Sequence, residues 1–157
     1  MSPTVDVPSI VVRLQDGVID VTAETRFLSE GRGDVGAIVT FTGLCRDEKG
    51  TLSGLELEHF PGMAEAEIAR IAGEAAGRWP LLGIVAIHRY GLVAPGEVIV
   101  LVAVASSHRQ AAFAGAEFIM DFLKSRAPFW KKEHRADGRE GQWVDAKDSD
   151  EAALSRW

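Results

Sequence analysis

The sequence predicts a mixed fold in which strands and helices share one core, and three observations predict it. The chain has 157 residues, a length that suits one domain spanning 1–157, since single cores run from about 100 to 200 residues. Hydrophobic residues make up 46%, enough to bury a core and far from the composition of a disordered chain. Short β-branched runs alternate with two long stretches whose apolar residues recur at helical spacing.

Ile10 to Leu14 reads as a short strand, and the turn dipeptide Asp16-Gly17 leads into a second at Val18 to Val21. Thr22 to Ser29 reads as a small helix, broken by Gly31-Arg32-Gly33-Asp34. Ala37 to Thr42, AIVTFT, is β-branched and aromatic and reads as a buried strand ended by Gly43. Polar Cys45 to Ser53 is a loop with Arg46 at its start. In Leu55 to Phe60 the alternation LELEHF puts Leu55, Leu57 and His59 on one face and Glu56, Glu58 and Phe60 on a wetter one.

Pro61-Gly62 turns the chain into a helix whose Ala64, Ile68, Ile71, Ala72, Ala75 and Trp79 form a core-facing stripe, stopped by Pro80. Ile84 to His88 and Val98 to Ala105 read as strands joined in a hairpin through Ala94-Pro95-Gly96, the second apolar on both faces. Ser107 and Gln110 fit a capping box for the next helix. Along that helix Phe113, Ala116, Met120 and Leu123 face the core with Ile119, and Pro128 ends it. Trp143 to Asp145 reads as a last strand and Asp148 to Trp157 as a closing helix.

Charge narrows the function. The net charge of −6 argues against a nucleic-acid or anionic-membrane surface, which needs a broad basic face. Val98 to Ala105, the longest apolar run, is far shorter than the roughly 20 residues of a membrane span. One cysteine, Cys45, and no secretory leader point to a reducing, cytoplasmic compartment. Yet Lys124, Arg126, Lys131, Lys132 and Arg135 crowd the stretch Glu117 to Arg135, a local excess of positive charge that suggests an anion site.

Each candidate there also has a plain structural reading. Lys124 is placed to pair with Asp121 at i, i+3. Lys131-Lys132 reads as a solvated loop, but Pro128-Phe129-Trp130 before it would partly desolvate the amines, which lowers a lysine pKa and frees a base or nucleophile. His108-Arg109 opens a helix, where unpaired amides favour an anion and Arg109 adds a bidentate donor. Arg46 is a loop arginine, and Cys45 reads as a small buried residue rather than a sulfur carrier activated by Arg46. His59, His88, His108 and His134 are scattered and no glycine-rich phosphate loop is present, so no metal, cofactor or nucleotide fold is expected.

Five segments then become recognisable together: GAIVTFTG with Arg46, LEHFPGM, RWPLLGIVAIHRYG, PGEVIVLVAVASSHRQAAF and above all FIMDFLKSRAPFWKKE. In order and spacing they resemble the large, catalytic subunit family of molybdopterin synthase from about Gly36 to Trp157, while residues 1–35 match only loosely. The resemblance implies an α+β fold of the α/β-hammerhead type and a homodimer. A small ubiquitin-like sulfur carrier sits at each end in a heterotetramer, inserting a C-terminal Gly-Gly thiocarboxylate. The implied reaction converts cyclic pyranopterin monophosphate into molybdopterin, in molybdenum cofactor biosynthesis, with one carrier supplying each dithiolene sulfur.

Carried over by position, the catalytic lysines fall on Lys124 and Lys131, and the contacts to the pterin phosphate on Arg46, His108, Arg109, Lys132 and Glu133. Lys147, where relatives often carry arginine, would complete an anion pocket across the dimer. Lys131 would orient the thiocarboxylate and Lys124 act as general acid-base, or the reverse. Two other functions use the same residues: a non-catalytic scaffold for a ubiquitin-like tail, and a lysine Schiff-base enzyme acting on a phosphorylated carbonyl compound.

Overall fold

The computed structural model describes residues 7–47, 49–139, 141, 143–144 and 152–157. Strands β1 (Ser9–Gln15), β2 (Ala37–Leu44), β4 (Leu81–Arg89) and β6 (Val98–Ser106) form one sheet, in the order β1-β4-β6-β2. A second sheet, ordered β5-β3-β7-β8, takes β3 (Leu52–His59), β5 (Gly91–Val93), β7 (Phe129–Arg135) and β8 (Trp143–Val144). Helices α1 (Val21–Phe27), α2 (Met63–Arg78) and α3 (Arg109–Arg126) complete an α+β fold with a mixed first sheet and an antiparallel second one.

The two central strands explain the core. On β4, Ile84 and Ala86 point to one face and Val85 and Ile87 to the other, and β6 alternates likewise with Val102 and Val104 against Leu101 and Ala103. The first face is covered by α2 and α3, and the second by Ile19 and Leu28 flanking α1. Both strands are therefore apolar on both faces, as the sequence predicts for β6, and each fully buried aliphatic side chain contributes roughly 1.5–3 kcal/mol.

Helix α2 buries the predicted stripe Ala64, Ile68, Ile71, Ala72 and Ala75. It stops at Trp79, whose extended ψ of 154° suits a residue before proline. Its wet face carries Arg70 between Glu67 at 2.6 Å and Glu74 at 3.2 Å, exposed pairs worth a few tenths of a kcal/mol each.

Several expectations need correction. Val18 to Val21 is no strand: the Asp20 carboxylate accepts from the Ala23 amide at 3.0 Å and starts α1 at Val21, while β1 pairs in parallel with β4. Strand β2 is a sheet edge rather than a buried strand, with Phe41 41% and Leu44 53% exposed. The hairpin is interrupted: β4 and β6 do pair antiparallel, but the link between them gives β5 to the second sheet.

The others concern α3 and the segment beyond its C-terminus. The capping box does not form, since His108 is the N-cap and makes no side-chain cap bond. Phe113 faces solvent and Phe118 takes the core, because α3 lies on the sheet through its small residues. A Cβ added at Gly115 would stand 3.0 Å from Leu81 Cδ1 and 3.3 Å from Val104 Cγ1. Past Pro128 the chain is strand β7, not a loop. Of the proposed closing helix only 152–154 is helical among the described residues, and 145–151 lie outside them.

Candidate functional site

The register of the first sheet places the candidate side chains. Strand β6 runs from Val98, opposite Leu44, to Ser106, opposite Ala37, and α3 then returns over the sheet. Arg109 opens α3 and Lys124 lies in its last turn, which at 1.5 Å per residue separates them by about 22 Å along the axis. His108 and Arg109 therefore stand at the Ala37 end, and Lys124 at the Leu44 end with His88, which pairs with Val100.

Lys131 reaches the same end from the second sheet. It lies opposite Leu57, a residue 1% exposed that clusters with Cys45 and Val93 where the two sheets meet. Phe129, two residues earlier on the same face, stacks on His88 with ring centroids 3.9 Å apart and 14° between planes. His59, opposite Phe129 in the sheet, lies 4.9 Å from the Tyr90 ring. His88 is 8% exposed, and its Nδ1 donates to the Arg89 carbonyl at 2.7 Å.

Burial holds the His88 pKa down to about 4, and the charges of Lys131, Lys124 and His59 push the same way. An uncharged buried ring thus sits within electrostatic reach of both lysines. Asp121 does not pair with Lys124: its Oδ2 accepts from Arg156 Nη2 at 2.7 Å and from Trp157 Nε1 at 2.6 Å.

Arg46 follows Cys45 out of β2, and Cys45 is clamped at both backbone atoms. Its amide donates to the Glu97 carbonyl at 2.9 Å, and the Gly96 amide donates to its carbonyl at 2.7 Å. Glu97 is gripped in turn by Arg89, whose other amino group donates to the Asp16 carbonyl at 2.8 Å. The buried Cys45 thiol is pushed up, first by desolvation and then by Asp47 and Glu97, so no activated thiolate is built here.

Glu133 shares the Lys131 face of β7, whereas Lys132 occupies the opposite face, its Nζ 5.9 Å from the centre of the Trp143 ring. On that face His134 Nε2 lies 2.9 Å from Glu56 Oε2. Lys147 lies outside the described residues. Of the sequence candidates, Lys124, Lys131, Glu133 and Arg46 belong to one end of the molecule, and His108 and Arg109 to the other. His88 escapes sequence reasoning as a participant, although HRYG belongs to one of the recognisable segments, because spacing alone does not say what a lone histidine touches.

Two clefts flank these groups. One of about 490 Å³ is lined by His108, Arg109, Gln110 and Phe113, and one of about 240 Å³ by Glu58, His59, Phe60 and Trp130. The first has the traits of an anion site, because the opening turn of α3 carries neither an acidic residue nor a side-chain cap. Among the described residues no three His, Cys, Asp or Glu side chains converge on a metal-sized point, and no helix is long and apolar enough to cross a membrane.

The family model described as MoaE protein matches residues 14–126, starting ahead of the Gly36 at which the resemblance becomes legible. A protein of Mesorhizobium japonicum named molybdopterin synthase catalytic subunit is 66% identical over 146 residues, 93% of this chain and 92% of that one. The chain belongs to the MoaE family. A Rhizobium meliloti protein of the same name is 63% identical over 148 residues, covering 94% of this chain and 96% of its own. The solved MoaE structure from Burkholderia ambifaria superposes with a TM-score of 0.81 at 44% identity, over 94% of this chain and 97% of that one.

Proposed function

We propose that this MoaE protein inserts sulfur in molybdopterin synthase. It converts cyclic pyranopterin monophosphate into molybdopterin with sulfur from the C-terminal thiocarboxylate of a small ubiquitin-like carrier, which makes it a sulfurtransferase. The observation that carries this reading is that Lys124, from helix α3, and Lys131, from strand β7 of the second sheet, both bear electrostatically on the buried ring of His88, on which Phe129 of β7 stacks. Two ammonium groups there meet a thiocarboxylate and stabilise charge developing at the attacked carbon. Lys131, on a strand locked between β3 and β8, orients the thiocarboxylate, and Lys124 at the end of α3 moves the proton.

The phosphate needs a second copy of the chain. Arg109 and the α3 amides stand about 22 Å from Lys124 in one copy, too far to share one small substrate. A homodimer that sets the His108-Arg109 end of one protomer beside the lysine end of the other assembles the whole constellation. The exposed edge residues Phe41 and Leu44 and the exposed Phe113 support such an interface. The relatives' name, catalytic subunit, supports a separate carrier subunit, and a single buried free cysteine supports a cytoplasmic setting.

A single-turnover reaction with cyclic pyranopterin monophosphate and thiocarboxylated carrier, followed by mass spectrometry, tests the reading. Dithiolene product from the wild type, absent with Lys131→Ala and Lys124→Ala proteins that remain folded, is the expected result. Near wild-type turnover in folded Lys131→Ala would remove the catalytic assignment. Tight carrier binding without product would move the chain to a scaffold, and borohydride trapping of substrate on either lysine without carrier would favour Schiff-base chemistry.

A further inference from the structure

The reaction as proposed uses the two lysines and leaves the ring on which both bear without a role. His88 is the penultimate residue of the long buried strand β4 and is fixed from two directions. The Arg89 carbonyl, 2.7 Å from Nδ1, can only accept, so Nδ1 carries the proton and Nε2 the lone pair. Across the ring face lies Phe129, nearly parallel at 3.9 Å, and two residues on, pointing the same way from β7, is Lys131. The charged or titratable groups that bear on the ring are Lys131 from β7, Lys124 from α3 and His59 from β3. The Arg89 side chain is turned away to Glu97 and Asp16.

We infer that His88 is a positioning residue for the lysine pair, an uncharged ring of fixed tautomer on which Phe129 seats and through which Lys131 is set against Lys124. The inference rests on the reading that these lysines carry the reaction. Its physical content is twofold. A flat ring contact between a central strand of one sheet and the first residue of β7 in the other holds the strand that bears Lys131, and a misplacement of about 1 Å at such a group costs up to a hundredfold in rate. A neutral ring also keeps a third cation away from the two that the incoming anion must meet.

The test joins an NMR titration of ¹⁵N-histidine-labelled protein to single-turnover kinetics. The titration is expected to show His88 as the Nδ1-H tautomer near neutral pH, with a pKa that rises in both Lys124→Ala and Lys131→Ala. In the kinetics His88→Ala loses about tenfold or more in the single-turnover rate constant at an unchanged half-saturating carrier concentration, and His88→Phe, which restores an uncharged ring against Phe129, recovers most of it. An unmoved His88 pKa in both lysine variants overturns the inference. So does wild-type turnover in His88→Ala, and so does a His88→Phe as slow as His88→Ala, which would give the ring nitrogen a chemical task instead. A wild type that forms no product overturns the functional reading, and the titration alone then decides the placement.

Discussion

Trp157 donates its indole N–H to Asp121 at 2.6 Å and so ties the segment after 152 to the outer side of α3. Its ring stands edge-on to Trp79 and Phe118, with centroids 5.6 and 5.5 Å away, and Arg156 reaches Glu117 and Asp121 at 2.7 Å each. Trp157→Ala removes a half-buried aromatic clasp over the α2 and α3 pair. Its stability in urea unfolding is expected to fall by about 2 kcal/mol, below the cost of a fully buried tryptophan. An unchanged midpoint would show that the clasp does not hold the helices.

The separation of Arg109 from Lys124 predicts complementation between damaged chains. Arg109→Ala and Lys131→Ala proteins, each inactive alone, regain activity when unfolded together and refolded as mixed dimers, because each mixed dimer keeps one site intact. Random pairing gives about a quarter of wild-type turnover. No recovery in dimers shown to be mixed would place both groups in one protomer's site.

Cys45→Ala leaves turnover unchanged while costing about 1 kcal/mol of stability, since it removes a buried sulfur packed against Leu57 and Val93. Single-turnover kinetics and urea unfolding of the same preparation check both halves. A large loss of activity in the folded variant would restore the thiol as a sulfur carrier.

His88 makes the fold sensitive to acid in a defined window. Its folded pKa of about 4 lies below the ordinary 6.5, so between those values the unfolded chain binds the proton and the folded chain does not. Stability therefore falls as pH drops below about 6.5 and this contribution levels off below about 4, a loss on the order of 3 kcal/mol for the one group. Carboxylates add their own acid loss, so the readout is the difference between wild type and His88→Phe in urea midpoints from pH 7 to pH 4. The difference is expected to shift in favour of the variant as pH falls, and parallel curves would count against a buried neutral His88.

Much of the scaffold was legible because it obeys simple periods. The α2 stripe from Ala64 to Ala75, the strand at Ile84 and the two-faced apolar strand at Val98 each report burial directly in their residue types. Legibility failed where packing overrode pattern. Val18 to Val21 has strand composition, yet Asp20 caps a helix. Phe113 outranks alanine in apolarity, yet the sheet accepts only the small residues of α3, so the large side chain is turned outward and Phe118 inward. In β7 the run KKEHR hides a strand, because pairing with β3 and β8 supplies the order that apolar alternation usually announces.

The site was legible as a set of residues and not as an arrangement. Similarity named Lys124, Lys131, Arg46, His108 and Arg109 together, but sequence carries no record of which end of a helix a residue's neighbours occupy in space. The length of α3 splits that set, and the topology brings in His88 from a strand that read as core alone.

Neighbouring lysines in β7 face opposite sides of their sheet, so the protein distinguishes two chemically identical side chains only by counting. A slip of one residue between β7 and β3 would put Lys132 over Leu57 and turn Lys131 toward Trp143, leaving every amino acid in place and the site empty of its orienting amine. The damage from a deletion in the turn at Pro128 would therefore be to a phase, and such a chain would keep its lysines and most of its fold while losing its reaction.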